Sequence, residues 1–281
     1  MRYLLYNPLS GMGNKALEDA TKYAEVAGVP TKTVNVTEVD NIISLFDGLK
    51  PDDDVVVFGG DGSLNKIVNQ LSDAEIKNDI YYYPCGTGND FARDVDKADA
   101  HAPFLINEYI KDLPTVTVNG KTSKFINGVG FGIDGYCCEI GDLMKSQNKT
   151  PDYTAIAIKG LLFHFKPVNA TVLVDGEKSE FRKVWIAPTM FGRFYGGGMM
   201  PAPLQDRSAK EKSVSLMVFH GTGKLRTLMI FPSLFKGEHV KHKKNVSVLS
   251  GKSISVTFDR PTSLQIDGET VLNVTNYVVE A

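Results

Sequence analysis

Apolar residues in the first 115 positions follow two alternating arrangements. Short continuous runs, such as Val-Val-Val-Phe at 55–58, are typical of strands buried on both faces of a parallel sheet. Other stretches carry apolar residues at helical spacing, as between Leu64 and Leu71. The predicted strands span residues 2–6, 31–36, 54–58 and 80–84, and the predicted helices span residues 15–26, 40–49 and 64–71. This order predicts a doubly wound parallel α/β domain, which we place at residues 1–115.

After residue 115 apolar and polar residues alternate, as they do in half-buried strands. Turn dipeptides such as Asn119-Gly120 and Asp175-Gly176 separate several segments and favour tight hairpins. The predicted strands span residues 115–118, 124–130, 170–174, 181–187, 213–219, 246–249, 253–258, 264–266 and 277–279. Two helical insertions, at 153–165 and 224–235, are interpreted as packing elements, with membrane contact as the alternative. The second insertion, together with the basic run at 241–244, is the candidate surface for anionic lipid. The pattern predicts an antiparallel β-sandwich or barrel-like domain at residues 116–281, so the fold class is α/β plus all-β.

Composition narrows the partners and the compartment. The chain has 31 basic and 33 acidic residues, and this net charge of −2 gives no support for a nucleic-acid partner. The three cysteines have neither the number nor the spacing of a disulfide framework or a metal site, which favours a reducing cytoplasm. Since no run of 18 apolar residues occurs, we expect membrane contact to be peripheral only.

The buried strand at 54–58 runs directly into Gly59-Gly60-Asp61-Gly62-Ser63. Glycines allow close approach of a ligand to the backbone, and the start of the following helix offers free N–H groups, so this turn suits an anion such as phosphate. Asp61 would repel phosphate unless a divalent cation such as Mg²⁺ lies between them. The alternative is a tight turn in which Asp61 is a helix N-cap.

Two further glycine turns support a phosphate site. One is Tyr6-Asn7-Pro8-Leu9-Ser10-Gly11 after the first strand, and the other is Cys85-Gly86-Thr87-Gly88-Asn89-Asp90 after the strand at 80–84. The carboxyl ends of parallel strands share one edge of a sheet, so the three turns are expected to form one composite nucleotide-phosphate site. The sequence contains neither a G-x-G-x-x-G fingerprint nor a P-loop.

Four stretches together resemble the signatures of the diacylglycerol kinase catalytic-domain family. They are "YNPLSGMGN", "VVVFGGDGSLNKIVNQL", "YYYPCGTGNDFARDV" and "LQIDGET". The family includes bacterial lipid kinases and, more distantly, sphingosine and ceramide kinases. The resemblance implies a nucleotide domain, a β-sandwich domain and the use of ATP. The ATP-binding residues that it implies are Asn7, Pro8, Ser10, Gly11, Thr37, Gly59, Gly60, Gly62, Ser63, Asn65, Gly86, Thr87, Asn89 and Asp90. For Thr37 the alternative is a cap of the following helix.

The chain contains two Asp-Gly-Glu triplets. The first, at 175–177, is explained by a hairpin turn. The second, at 267–269, lies where the family carries its catalytic triplet, so the resemblance implies that Asp267 and Glu269 activate the acceptor hydroxyl. Asp61 is the third catalytic residue implied, and Asp61 and Glu269 are the implied Mg²⁺ ligands. Which carboxylate of the triplet takes the proton stays open.

The predicted function is an ATP- and Mg²⁺-dependent lipid kinase of phospholipid biosynthesis, with diacylglycerol as the first candidate substrate at the membrane surface. The lipid and the oligomeric state stay open. Two departures from the family pattern matter: Lys66 stands where relatives often have Glu, and the 205–215 segment lacks the Asp-Gly step at which some relatives bind a structural Mg²⁺. The alternatives are a catalytically weak nucleotide- or lipid-binding regulator and an NAD kinase-like enzyme.

Overall fold

The structure is a computed structural model that describes residues 1–71, 76–99 and 101–281. The chain forms two compact units, Met1–Leu113 and Pro114–Ala281. In the described residues, no helix has the length and apolar character that crossing a bilayer requires.

The first unit is built on a five-stranded sheet with the order β2-β1-β3-β4-β5. Its strands are β1 Arg2–Tyr6, β2 Thr31–Asn35, β3 Asp54–Gly59, β4 Ile80–Pro84 and β5 Phe104–Leu105. Its helices are α1 Gly13–Val26, α2 Ile42–Asp47, α3 Asp61–Gln70, α4 Asp90–Asp94 and α5 Asn107–Ile110. Strands β1 to β4 are parallel, and only β5 is antiparallel to its neighbour. The predicted parallel α/β fold is therefore confirmed.

Burial explains why the first unit follows its apolar pattern. The strand β3 lies in the middle of the sheet, and its residues 55–58 are all buried. Ala16 and Ala20 of α1 pack on Leu4, Val56 and Phe58. The predicted helix at 40–49 is shorter, because the Asn41 side chain accepts a hydrogen bond from the Ile43 amide and so caps α2 there.

The second unit contains one branched antiparallel sheet. Its strands are β6 Thr115–Val118, β7 Lys121–Lys124, β8 Gly128–Phe131, β9 Val168–Val174, β10 Glu177–Val184, β11 Thr189–Met190, β12 Val214–Phe219, β13 Val246–Gly251, β14 Ser253–Ile266 and β15 Glu269–Glu280. The first half of β14 pairs with β9, its last residues pair with β8, and β15 pairs along both parts. This branching gives a sandwich-like arrangement, in agreement with the predicted fold class.

Several predicted strand boundaries in the second unit are wrong. The predicted strands at 253–258 and 264–266 are one strand, β14, which continues through the exposed residues 259–261. The predicted strand at 124–130 is divided, because the backbone amides of Ile126 and Asn127 leave the ladder and bind the Asp267 carboxylate. Hydrogen bonds from these amides to a carboxylate far along the chain, which the alternation of apolar and polar residues does not reveal, decide the second case.

The helices of the second unit are α6 Ile133–Ser146, α7 Tyr153–Lys159 and α8 Lys224–Ile230. A π-helical turn at Gly160–His164 follows α7, and 3₁₀ turns at Phe231–Lys236 and Glu238–Lys241 follow α8. The sequence pattern did not predict α6. Its Gly135 is a poor helix former, yet a side chain there would place Cβ 1.9 Å from the Ser263 carbonyl oxygen. Close packing against β14 therefore requires glycine at position 135, and this glycine weakens the helical pattern by which α6 could have been predicted.

Candidate active site

The three glycine turns of the first unit lie at the same edge of its sheet. Strand β3 pairs in parallel with β1 on one side and with β4 on the other. The segments that follow these strands, at 7–12, at Gly60 and at 85–89, therefore leave the sheet at neighbouring carboxyl ends. The structure brings together the turns that were predicted to form one site.

Gly60 and Gly86 allow two of these turns to touch through their backbones. A Cβ atom on Gly86 would lie 2.5 Å from the Gly60 Cα atom, and one on Gly60 would lie 3.1 Å from the Gly86 Cα atom. Gly59 is restricted by the Ser63 side chain, whose Cβ atom would be 2.7 Å away. These three glycines are thus explained by packing within the protein.

Gly62 has no such explanation. It lies in the first turn of α3, and a Cβ atom there would have no described heavy atom within 4 Å. Glycine destabilises a helix by roughly 1 kcal/mol relative to alanine, so its presence without a packing reason favours a ligand that approaches the backbone. The N–H groups of this helical turn suit an anion.

Gly11 has similar open space in the turn after β1. No described heavy atom lies within 4 Å of a Cβ built there. The same segment lines a pocket of about 380 Å³ formed by residues 8, 10–15 and 18. Open space therefore occurs at two of the three turns, on the side where a nucleotide was predicted.

Asp61 connects two of the turns. Its Oδ2 atom accepts a hydrogen bond from the Asp90 amide at 3.0 Å, and its Oδ1 atom accepts one from the Phe91 amide at 2.8 Å. The capping alternative for Asp61 is wrong, because its own helix α3 has Gly60 as N-cap and no side-chain cap. Asp61 instead accepts from the first amides of α4. A carboxylate oxygen has two lone pairs, so these bonds are compatible with a further Mg²⁺ contact, and the residue fits such an ion.

Three of the predicted nucleotide residues shape the turns themselves. The Asn7 Oδ1 atom accepts from the Leu9 amide at 2.9 Å, and the Ser10 hydroxyl donates to the Asn7 carbonyl at 2.9 Å. Asn89, with a left-handed φ of 50°, exchanges two hydrogen bonds with the backbone of Gly86, each 3.0 Å long. These side chains stabilise the backbone conformation of the turns, and this is the role that the structure gives them.

The remaining predicted residues of the first unit differ in exposure. Ser63, Asn65 and Asp90 are buried, Pro8 is half-buried, and Thr87 is exposed. Thr37 lies in a 3₁₀ turn after β2, where its hydroxyl donates to the Asn35 Oδ1 atom at 2.8 Å. The capping alternative for Thr37 is wrong, because Asn41 is the N-cap of α2.

In the second unit, Asp267-Gly268 is the two-residue turn that joins β14 to β15. Ile266 pairs with Glu269, and both turn residues have positive φ, 46° and 91°. The Asp267 carboxylate accepts hydrogen bonds from the backbone amides of residues 126, 127 and 128. This carboxylate anchors the turn on the β7–β8 segment, and Glu269 follows it as an exposed residue.

The other Asp-Gly-Glu triplet has the same local geometry. Asp175 and Gly176 have φ values of 50° and 88°, and Val174 pairs with Glu177. The Asp175 Oδ1 atom accepts from the amides of Lys252 and Ser253 at 2.9 and 2.8 Å. The predicted hairpin is confirmed. The backbone geometry and the anchoring of the aspartate are therefore the same in the two triplets. A difference in their function has to come from the residues around them.

Models of two protein families match the chain. The diacylglycerol kinase catalytic domain matches residues 2–118, and the YegS C-terminal NAD kinase beta sandwich-like domain matches residues 127–279. The chain belongs to the diacylglycerol kinase catalytic-domain family. It is therefore a kinase, as the signature stretches predicted.

Curated relatives carry the same designation at low identity. A diacylglycerol kinase of Bacillus subtilis (strain 168) is 26% identical over 280 residues, which cover 95% of this chain and 88% of the relative. A diacylglycerol kinase of Mycobacterium tuberculosis (strain ATCC 25618 / H37Rv) is 26% identical over 263 residues, which cover 90% and 83%. These alignments extend through both units of the kinase.

Solved structures show the same fold. A crystal structure of a diacylglycerol kinase from Bacillus anthracis str. Sterne superimposes with a TM-score of 0.63 at 18% identity, covering 99% of this chain and 93% of that one. At this identity the match concerns the fold alone.

The 205–215 segment of the kinase is held by its own side chains. The Lys212 Nζ atom donates to the Arg207 carbonyl at 2.7 Å, and the Gln205 amide bonds to the Ser213 carbonyl at 2.8 Å and the Ser215 hydroxyl at 2.6 Å. Throughout the described residues, no three His, Cys, Asp or Glu side chains are grouped so as to hold a metal.

Sequence reasoning missed Asn127, which contacts the anchor of the turn. Its backbone amide donates to the Asp267 Oδ1 atom at 2.8 Å, and its Oδ1 atom accepts from Arg207 Nη2 at 3.2 Å. Asn127 and Arg207 are both buried. No signal in the linear sequence connects residues this far apart.

Proposed function

We propose that this kinase transfers the γ-phosphoryl group of ATP to the hydroxyl of a lipid, with diacylglycerol as the substrate and phosphatidic acid as the product. The observation that carries the nucleotide half is the meeting of three glycine turns at one sheet edge, with open space over Gly62 at the start of α3. Support for the lipid half comes from the family and from relatives named diacylglycerol kinase.

Phosphoryl transfer requires positioning and charge neutralisation more than covalent chemistry from the protein. In this proposal the amides after Gly60 bind phosphate oxygens, and the Asn7 and Asn89 turns shape the pocket around them. Asp61 and Glu269 would hold Mg²⁺, which when bound neutralises charge on the phosphates. Asp61 also connects the turn after β3 to the turn after β4, because it accepts hydrogen bonds from the Asp90 and Phe91 amides. The proposed metal ligand therefore also holds together two of the turns that would bind phosphate.

The proposal separates the roles of Asp267 and Glu269. Three backbone N–H groups bind the Asp267 carboxylate and hold its oxygens toward residues 126–128. Asp175 has the same anchoring role in a hairpin to which no catalytic part is assigned. Glu269 is therefore the carboxylate of the triplet that we assign to the lipid hydroxyl and to Mg²⁺.

A transfer assay with γ-labelled ATP tests the proposed function. Diacylglycerol, monoacylglycerol, sphingosine, phosphatidylglycerol and NAD are each offered with Mg²⁺, and parallel reactions contain a chelator instead. We expect labelled phosphatidic acid from diacylglycerol, no labelled product from NAD, and no transfer in the presence of the chelator. A product from NAD alone would replace the lipid kinase assignment with the NAD kinase alternative, and the absence of any product would favour the regulator.

The second unit also exposes an apolar face beside α8. Leu225 and Met229, four residues apart on one side of the helix, are 75% and 74% exposed, whereas Thr227 and Ile230 are buried. Core packing therefore accounts for only one side of this insertion. The Lys224 Nζ atom donates to the Leu162 carbonyl, which places Phe163, 72% exposed, beside the start of α8. We propose that these residues, with the exposed basic run 241–244, contact an anionic bilayer that holds the lipid.

Binding to vesicles tests this surface. A basic residue near an anionic bilayer contributes about 1 kcal/mol, so Lys243→Glu with Lys244→Glu is expected to weaken binding to anionic vesicles by at least about tenfold. Lys241 is unsuitable for this test, because it already pairs with Glu238 at 2.8 Å. Co-sedimentation at low and high salt provides the measurement. Reversal of Lys121 and Lys149, exposed elsewhere on the unit, is the matched control. Equal loss in both double variants would show that net charge, rather than this surface, governs binding.

A further inference from the structure

Helix α6 contacts the hairpin that carries the Asp267–Glu269 turn through three acidic side chains. Asp134 accepts from Gln265, Glu139 accepts from the Ser263 hydroxyl, and Asp142 accepts from the Thr270 hydroxyl. The partners lie on both strands of the hairpin, on either side of the turn. The helix therefore acts as a support for the turn as well as a packing element.

The bond at Asp134 is the one that reaches the turn itself. The Gln265 Nε2 atom donates to the Asp134 Oδ2 atom at 3.1 Å, and the Gln265 Oε1 atom accepts from the Gly268 amide at 2.6 Å. Because the amide oxygen faces Gly268, the amide nitrogen needs an acceptor on its other side. Asp134 is that acceptor, and the pair of bonds orients the peptide unit between Asp267 and Gly268.

Burial makes this arrangement specific. Asp134 and Gln265 are 8% and 3% exposed, and a Cβ atom on Gly130 would lie 1.4 Å from the Asp134 Oδ2 atom. Burial raises the pKa of Asp134 to about 6, an effect that the bond from Gln265 opposes, so the carboxylate is charged at neutral pH. Its position in the first turn of α6 also favours the charge.

The ionisable groups around Asp134 are neutral at this pH. Burial, reinforced by the Asp134 charge, raises the pKa values of Tyr195, Cys137, Cys138 and Tyr277. A buried carboxylate costs stability unless it is well hydrogen-bonded, so retaining one here needs a reason. The hydrogen bonds that connect Asp134 through Gln265 to the Gly268 amide supply that reason.

We propose that Asp134 is a positioning residue: through Gln265 it sets the orientation of the Asp267–Gly268 peptide and thereby the direction of the Glu269 carboxylate. This inference rests on the proposed function for its kinetic consequence. The hydrogen-bond chain itself has a structural consequence, which is independent of which substrate the kinase uses.

A polarity swap tests the chain. In Gln265→Glu one carboxylate oxygen still accepts from Gly268, but the other faces the Asp134 carboxylate. Two carboxylates this close share a proton near neutral pH, so all variants are compared with the wild type at about pH 9, where both are ionised, the turn is expected to shift and kcat to fall about 10²-fold. Adding Asp134→Asn provides a donor to the new carboxylate, and we expect kcat to return to within a few-fold of the original. Asp134→Asn alone keeps an acceptor for Gln265, so it is the conservative variant, and its loss of kcat should be smaller than that of Gln265→Glu. The KM for ATP should stay unchanged in all three variants.

A stability-matched control separates positioning from a general loss of fold. Tyr277→Phe removes the buried bond of 2.7 Å between the Tyr277 and Thr189 hydroxyls in the same unit. This variant should lower the free energy of unfolding without lowering kcat. If Tyr277→Phe lowers kcat as much as Gln265→Glu, or if Asp134→Asn fails to restore the Gln265→Glu variant, the positioning role is wrong.

The amide signal of Gly268 gives a readout that needs no lipid. In protein labelled with ¹⁵N-glycine, Gln265→Glu should shift the Gly268 resonance and speed its hydrogen exchange, and the double variant should restore both. A wild-type protein that phosphorylates no lipid would overturn the proposed function but leave this comparison intact. An unchanged Gly268 signal in Gln265→Glu would overturn the positioning role itself.

Discussion

Glu269→Gln is expected to lower kcat by about 10²-fold or more while leaving the free energy of unfolding unchanged. The substitution keeps the size and hydrogen-bonding capacity of an exposed side chain but removes the charge that would accept a proton or bind Mg²⁺. Steady-state kinetics at saturating ATP, combined with urea denaturation, measures both quantities. Glu177→Gln is the matched variant in the other Asp-Gly-Glu hairpin, and both quantities should stay unchanged there.

The two aspartates of the triplets should behave differently from the two glutamates. Asp267→Asn keeps one acceptor oxygen and loses the other, so it should lower stability by about 1–3 kcal/mol as well as kcat, since the turn that carries Glu269 shifts. Asp175→Asn disturbs the same kind of anchor and should lower stability without affecting kcat. Equal kinetic effects at both triplets would contradict the assignment of the second one to catalysis.

Asp61→Asn is expected to have the second large effect, because it removes the charge proposed to hold Mg²⁺ beside the phosphates. Loss of several kcal/mol of charge stabilisation corresponds to at least about 10²-fold in kcat, and the concentration of Mg²⁺ needed for half-maximal activity should rise. The asparagine still accepts one of the two bonds from α4, so the stability loss should be limited to about 1 kcal/mol. A Mg²⁺ titration of activity decides between a metal role and a cap.

Two companion variants provide the control for Asp61. Asp54→Asn removes a carboxylate at the opposite end of β3, where it pairs with Arg2 Nη2 at 2.6 Å, and should cost stability but not activity. Gly62→Ala should stabilise α3 by roughly 1 kcal/mol and yet weaken ATP binding, because the methyl group enters the space proposed for phosphate. Unchanged ATP affinity in Gly62→Ala, or a Mg²⁺ response of Asp61→Asn equal to that of Asp54→Asn, would refute the phosphate site at this turn.

The linear pattern was sufficient for the parallel sheet and for the position of its glycine turns. Continuous apolar runs require burial on both faces, and parallel strands place their carboxyl ends together, so the three turns had to meet. The hairpins at Asn119-Gly120 and Asp175-Gly176 were equally readable, because these dipeptides adopt the positive φ values that a two-residue turn needs. In each case neighbouring residues carry all the information.

Contacts between distant residues were beyond the pattern. Asp61 was recognised as charged and well placed, but its partners are the amides of residues 90 and 91, which a cap argument based on adjacent residues assigns to the wrong helix. For the insertion at 224–235 the sequence left core packing and membrane contact open. Packing against one side alone decided that Leu225 and Met229 face outward.

The sequence by itself determined the family, the order of strands and helices in the first unit, and the residue types at the candidate site, since all of these depend on local composition and spacing. Only the tertiary structure showed that α6 exists as a support and that Asp134 reaches Gly268 through Gln265. The physical reason is that a buried hydrogen-bond chain depends on which segments the fold brings within hydrogen-bonding distance, and here those segments lie 131 residues apart in the chain. The glycines that allow α6 to pack closely on the hairpin also weaken its helical pattern in the sequence. For this reason the helix that supports the turn could not be predicted from the sequence.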